Sequence, residues 1–445
     1  MSLWLPKARR RSFIHDALVL VGNQFTVMAI GAVTGIVVAR CLGAAGRGVV
    51  AAATVYPAVI LSLLELGVRQ SSAYHLGKKI YSNAQVIGAV SALVLLLGTG
   101  GVLMSTGLLL WMDNPAITPL VILLAVAPIP LSIFTSYGSG VLLGNRLVGQ
   151  FANIGWLVEV LRLLAVFAFV WLLAWGAAGA LLASLLAGTL VAVYAAGRIA
   201  PLASLRPRFE WPVIRTLVLK GLVYSVALFV ITLNYKVNIV VMERLSNVTE
   251  IGVFALGVSV AQLTWALPQA ITTALFSHSA TAEDENAFAG KVARLFRVTV
   301  LVAAALVAGL GVAAPVLVPV IYGADFAPSV RVIHLLLPGV FFMLGLKILN
   351  MDLAGRGRPN ASLWAMVPAL LVNAALSVTL VPRYGAPGAA VASSVAYTAG
   401  GVGMMLVYCR HTGIRLAELW RYQRGDFAFL GARGRRGGTA GASAA

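Results

Sequence analysis

Gly176-Ala-Ala-Gly-Ala-Leu-Leu-Ala-Ser184 and Gly385-Ala-Pro-Gly-Ala-Ala-Val-Ala-Ser393 agree at six of nine positions. Each opens an apolar stretch directly after a turn. Upstream, Leu143-Gly144-Asn145-Arg146 answers Ala354-Gly355-Arg356 at the preceding turn. Near the start of each copy, Arg40-Cys41-Leu42 with Gly48 aligns with Glu243-Arg244-Leu245 and Gly252, one residue being inserted. Small-residue apolar sequence matches itself readily. These matches also hold their place in the order of segments, which reads as an internal duplication.

Working outward, the apolar stretches run 17–40, 48–68, 84–112, 117–143, 151–174, 177–197, 217–242, 251–276, 298–322, 330–353, 361–381 and 386–409. Most are close to the ~20 residues that a helix needs to cross a bilayer. The fold class is therefore all-α polytopic membrane protein, about twelve transmembrane helices in two six-helix lobes. An even number of spans per copy gives both lobes one orientation, related by a pseudo-two-fold axis along the membrane normal. The expected units are an N-terminal lobe over 1–205, a C-terminal lobe over 206–410 and a basic cytoplasmic tail over 411–445.

Composition agrees. Of 445 residues, 60% are hydrophobic and 11% charged, where a soluble domain carries about 25% charge. No large soluble domain fits between the spans. The net charge of +19 is not gathered into a basic nucleic-acid-binding domain. Lys and Arg alternate along the loops instead: 25 fall in segments on the side of the N-terminus, 5 on the other, and 3 within spans. Positive charge collects on the cytoplasmic side, so both termini are expected inside, in a bacterial cytoplasmic membrane. The first apolar stretch is too long for a cleavable signal and reads as a retained span.

No enzyme signature is present. There is no Walker A motif, Cys41 and Cys409 form no metal spacing, and the five histidines are scattered. Neither catalysis nor a bound cofactor is expected. In the loop after span eight, Thr281 is placed to cap a helix with Glu283 and Asp284 in its first turn. Phe288, Val292, Leu295 and Phe296 then share a face, predicting a helix lying on the inner membrane surface. A second interfacial helix is expected over 414–424, with Leu416, Leu419 and Trp420 toward lipid.

Three passages resemble a known family. Ala39-Arg-Cys-Leu-Gly-Ala-Ala-Gly-Arg-Gly48 resembles its first hairpin. Glu250-Ile-Gly-Val-Phe-Ala255 with Leu267-Pro268 resembles its eighth span. Tyr322-Gly-Ala-Asp-Phe-Ala-Pro-Ser329, Gly355-Arg-Gly-Arg-Pro359 and Val381-Pro-Arg-Tyr-Gly-Ala-Pro-Gly-Ala-Ala390 resemble its C-terminal half. The chain is similar to the Wzx-type O-antigen and exopolysaccharide flippases of the multidrug/oligosaccharidyl-lipid/polysaccharide flippase superfamily. The resemblance implies a two-lobed bundle whose cavity is lined mainly by spans one, two, seven, eight and ten. It also implies a polyprenyl-diphosphate-linked oligosaccharide as partner and cargo, moved from inner to outer leaflet. These motifs mark turns and do not specify the glycan, and neither proton nor sodium coupling is fixed by them.

Charged residues within a bilayer are costly and mark function by default. Lys236 lies about 10 Å inside the outer end of span seven, beside Asn234, and is either a cavity cation or a snorkelling one. Lys347 in span ten has the same two readings. Glu159 and Arg162 sit at i, i+3 on one face of span five, as a neutralised structural pair or as a diphosphate-binding Arg poised by a carboxylate. Asn23 and Gln24 in span one, with Gln262, Trp265 and Gln269 in span eight, are candidates for sugar contacts or for polar bonds between helices. A drug or cation antiporter of the same superfamily is the first alternative; it would want acidic residues in the cavity. A membrane glycosyl-transfer enzyme is the second; it would want a large outer loop, and none is present.

Overall fold

The computed structural model describes residues 13–265, 285–423 and 426. Among the described residues, ten helical stretches are long and apolar enough to cross a membrane. Two of them contain a break, Phe13–Leu64 at Gly43 and Leu363–Thr412 at Gly385, so the described helices account for about twelve crossings. Helices are imposed by the bilayer, where every backbone N–H and C=O must bond within its own segment.

Spans one and two are the two limbs of Phe13–Leu64, and span two continues past Gly67 as Val68–Gly77. Span three is Asn83–Met112. Span four is Pro119–Val126 joined to Pro128–Gly144. Span five is Val148–Val166 with a π-helical end, Phe167–Leu172. Span six is Gly176–Ile199. In the second lobe, span seven is Trp211–Leu245, span eight Val248–Gln262 plus a short 3-10 turn, span nine Glu285–Tyr322 and span ten Pro328–Gly355. Spans eleven and twelve are the limbs of Leu363–Thr412.

The duplication is visible in backbone detail. Gly176 and Gly385, which open the two matching segments, both adopt φ 57°, a left-handed conformation open to glycine at little cost. At the preceding turns, Asn145 N–H donates to the Val141 carbonyl and Leu147 N–H to that of Leu142; Arg356 donates to Asp352 and Arg358 to Leu353 in the same pattern. The residue between is left-handed in both, Arg146 at φ 60° and Gly357 at φ 78°. These are helix ends closed by a left-handed residue.

The lobes meet along a seam formed by spans one and two against seven and eight. The bundle has one end bearing Gly43, here the Gly43 end, and one bearing the 78–82 and 200–210 connections, here the linker end. Near the Gly43 end, span two crosses span eight at Gly48 and Gly252. Near the linker end, Gly67 meets Gly221 of span seven, where a Cβ on Gly67 would lie 2.2 Å from the Gly221 carbonyl oxygen. Arg40 also reaches across the seam, donating to the Val320 carbonyl and, at 2.7 Å, to that of Ile321.

Two expectations change here. The segment with Phe288, Val292, Leu295 and Phe296 is no separate surface helix. It continues without a break into span nine, and Val292 and Phe296 are buried. The tail helix is shorter, Leu416–Trp420, and faces protein instead of lipid: Leu419 is fully buried and Trp420 packs edge-on to Phe296. Arg297 explains both. Its Nε and Nη2 fork onto the Asp426 carboxylate at 2.7 and 2.8 Å, and its Nη1 donates to the Glu418 carbonyl. Such a bidentate pair fixes geometry as well as charge. Thr281, Glu283 and Asp284 lie outside the described residues.

Candidate functional site

A cavity of about 420 Å³ lies on the seam between the lobes. Spans one and two supply Thr34, Arg47 and Thr54; spans five and six supply Arg162 and Ser184; spans seven and eight supply Tyr235, Lys236, Ser259 and Gln262. Glycines and small residues in span one keep its wall thin, and a Cβ on Gly31 would sit 3.6 Å from the Glu159 carboxylate.

Three cations therefore face one space. Lys236 has no carboxylate partner among the described residues. Arg162 forms an ion pair with Glu159, which is the nearby negative charge. Arg47 is held in place across the seam: Nη1 donates to the Gly35 carbonyl at 3.1 Å and Nη2 to the Ser259 hydroxyl at 3.2 Å. Neither contact neutralises it. The lining carries hydroxyls and one amide, and Glu159 balances a single cation. Such a lining can accept negative charge and hydrogen-bonding groups.

Lys347 is elsewhere. Its ammonium lies 4.5 Å from the centre of the Trp265 ring and 6.0 Å from that of Tyr235. Tyr397 closes the cluster, 5.7 Å from Tyr235 and 6.3 Å from Trp265. Aromatic faces stabilise a cation where water is excluded. Asp352 is not its partner; it pairs with Arg356 at 2.9 Å and accepts from the Tyr408 hydroxyl. Tyr235 belongs to both sites, lining the cavity on one side and the Lys347 cage on the other.

Of the other sequence candidates, Gln262 lines the cavity, while Asn234 and Trp265 face away from it. Asn234 is fully buried against span eleven, where Asn373 donates to its Oδ1 and its carbonyl at 2.9 and 3.0 Å. One turn on, Ser377 donates to Asn238 at 2.6 Å. These are interhelical bonds within the second lobe. Trp265 is buried, donating to the Val340 carbonyl of span ten, and meets Lys347 and not the cavity. Gln24 is exposed, and the side chain of Asn23, like Gln269, lies outside what the structure describes. Span ten contributes nothing to the cavity lining, while spans five and six do, contrary to the expected set of walls. Arg47, which the sequence presents only as part of the first hairpin motif, is a wall residue.

The sequence profile described as "Polysaccharide biosynthesis protein" matches residues 37–331, more than half of the chain. The chain belongs to the polysaccharide biosynthesis protein family. No curated protein matches it in sequence. Its fold is similar to that of the lipid II flippase MurJ in an inward-closed conformation, with TM-score 0.75, 14% identity, and 93% of this chain and 92% of that one covered. It is also similar to an inward-facing multidrug resistance MATE family transporter of the MOP superfamily, with TM-score 0.69, 16% identity, and 91% and 98% covered. A MOP superfamily transporter from Pyrococcus furiosus, described as having a binding pocket of reversed polarity, gives TM-score 0.62 at 15% identity, with 92% and 96% covered. This polysaccharide biosynthesis family member thus has the MOP superfamily fold, two six-helix lobes around a central seam.

Proposed function

We propose that this protein is a flippase that moves a polyprenyl-diphosphate-linked oligosaccharide from the inner to the outer leaflet of a bacterial cytoplasmic membrane, for surface polysaccharide assembly. The observation that carries this reading is the meeting of Arg47, Arg162 and Lys236 in one seam cavity with Glu159 as their one counter-charge among the described residues. A diphosphate brings the negative charge that this set lacks. Thr34, Thr54, Ser184 and Gln262 offer bonds to the first sugar, and the prenyl tail stays in lipid at the edge of the seam. The linker end, where Lys and Arg accumulate, faces the cytoplasm in this reading.

Lys347 is the second station. It lies behind Tyr235 toward span ten, and a swing of that ring would join the cage to the cavity. An inside-negative membrane potential favours outward movement of the anion. A cation antiporter would need acidic groups facing the cavity, and Glu159 is already committed to Arg162.

The test is binding of undecaprenyl diphosphate to the purified protein, with surface glycan export measured in cells that depend on it. Replacing Lys236 or Arg162 by Gln should weaken both at unchanged membrane abundance. Unaltered binding in the double variant would overturn the reading.

A further inference from the structure

The linker end of the first lobe holds a larger cavity, about 650 Å³, that shares no lining residue with the one on the seam. Two helix ends form its floor. The continuation of span two stops at Gly77 and span four at Gly144, and they pack so closely that a Cβ on Gly144 would lie 2.6 Å from that of Leu76. The chain leaves each end through a left-handed residue, Lys79 at φ 55° and Arg146 at φ 60°. In both turns the next N–H closes the helix end, Ile80 onto the His75 carbonyl and Leu147 onto that of Leu142. Both basic side chains line the cavity, together with Ser82, Asn83 and Asn145. No carboxylate lines it, and among the described residues neither cation forms an ion pair.

A left-handed position at a helix end suits glycine, because an L side chain there crowds the backbone. The second lobe follows that rule. Gly357 stands in the place of Arg146, and the preceding Arg356 pairs with Asp352 one turn back. In the first lobe Val141 occupies the place of Asp352. One copy thus neutralises its cation internally, and the other offers two cations, on strained backbone, to a cavity without acid. Strain kept where glycine would relieve it points to a use. The rim shows what use. Ile80, next to Lys79, is 50% exposed, an apolar side chain beside cations at the end of a spanning helix. Asn83 opens span three, and its N–H has no acceptor among the described residues, which adds a donor for an oxyanion. Basic pockets between spans at a membrane surface suit phosphate-bearing headgroups.

We propose that this cavity is a phosphate-binding site with Lys79 and Arg146 as its paired cations, the phosphate being carried by an anionic lipid headgroup. The guanidinium can fork onto two phosphate oxygens while the ammonium acts as a point charge, and Ile80 lies toward the acyl chains. Occupancy has a mechanical consequence. Tyr81 also lines the cavity, and its hydroxyl donates across the seam to Thr216 of span seven at 3.3 Å. Its ring stacks on that of His75, with 5.5 Å between centres. A bound headgroup therefore steadies a loop that ties the lobes together at the linker end. The site goes beyond the cargo reading: it concerns neither the seam cavity nor the direction of transport, and it holds whichever end faces the cytoplasm.

The test uses the purified, delipidated full-length protein in a neutral detergent. Lipid retention in native mass spectrometry and the midpoint of thermal unfolding are followed as dioleoyl phosphatidylglycerol, dioleoyl phosphatidylcholine or inorganic phosphate is added. The anionic lipid should bind and stabilise the parent, and the zwitterionic one should not. In the double variant Lys79→Gly with Arg146→Gly, affinity for phosphatidylglycerol should fall by about tenfold or more, the size of one lost charge-assisted contact. Glycine fits both left-handed positions, so lipid-free stability should not fall. A control pair, Lys78→Gln with Arg206→Gln, removes the same charge from exposed positions outside the lining and should keep the parent's affinity. Unchanged affinity in the glycine variant, or an equal loss in the control pair, overturns the site. So does a glycine variant that unfolds below the parent without lipid, which would make the two cations supports for their helix ends. If inorganic phosphate protects the parent as fully as the lipid does, and the glycine variant loses that protection, the phosphate site is supported and its lipid source is overturned.

Discussion

Gly48 and Gly252, mates in the duplicated sequence, meet backbone to backbone across the seam. A Cβ on Gly48 would lie 1.6 Å from the Val248 carbonyl oxygen, and one on Gly252 would lie 1.8 Å from that of Ala44. The contact is reciprocal, residue to residue, as at a two-fold interface. The pseudo-symmetry axis therefore passes through this crossing, and no side chain other than hydrogen fits there.

Gly48→Ala and Gly252→Ala should each force spans two and eight apart. The altered proteins should insert normally, since the methyl group meets the other lobe and not its own. Their seam at the Gly43 end should be reactive to impermeant thiol reagents under conditions where the parent is not, and export should fall. Closure equal to the parent in disulfide cross-linking between spans two and eight would contradict this.

The ion pair in span five gives an asymmetric prediction. Arg162 lines the cavity and Glu159 backs it. Glu159→Gln should preserve export and strengthen binding of undecaprenyl diphosphate, because it frees a cation. Arg162→Gln and the double variant should both lose export. A double variant that exports normally would make the pair purely structural.

Lys236 should tolerate Arg and not Gln, if a point charge is what the cargo needs. Losing one charge-assisted contact of about 1.5–3 kcal/mol corresponds to about tenfold or more in cargo affinity. Lys347→Gln should slow export with little effect on equilibrium binding in the cavity, because Tyr235 stands between. Equal binding losses in both variants would merge the two sites into one.

The tail clamp carries a pH dependence of known sign. The Arg297 guanidinium holds the Asp426 carboxyl below its ordinary value, assisted by a bond from the Gln423 N–H. A carboxyl depressed in the docked state stabilises docking above its ordinary value, about 3.9, and loses that contribution as pH falls through the depressed one. Trp420 fluorescence or protease resistance of the tail should thus be constant from neutrality down to about pH 4 and decline below it. Arg297→Gln should release the tail at neutral pH.

The span count was legible because two independent patterns agreed on it, loop charge and internal duplication. The side-chain phase of each helix was not. Asn234 and Lys236 are two residues apart on one helix, and nothing local says which of them faces the cavity. A clue did exist: Asn234 and Asn238 share the i, i+4 spacing of Asn373 and Ser377, and the two pairs bond to each other. The Lys347 cage was out of reach, since Tyr235, Trp265 and Tyr397 come from three different spans. The tail was misread because an amphipathic helix looks alike whether its apolar side meets lipid or Phe296; only Arg297 and Asp426, far apart in sequence, distinguish the two.

Span two is held at Gly48 and again at Gly67, and both contacts are with the opposite lobe. The helix runs from Gly48 to Leu64, about 24 Å, and a left-handed turn at Leu66 and Gly67 carries the chain to the second contact, across most of the hydrocarbon layer. The helix is thus a rocker with one fulcrum near each membrane surface. Pivoting by about 20° on either fulcrum displaces the far end by about 8 Å, from the same helical rise. In the proposed flippase, such a pivot would open a passage wide enough for a sugar at one surface while the other stays shut.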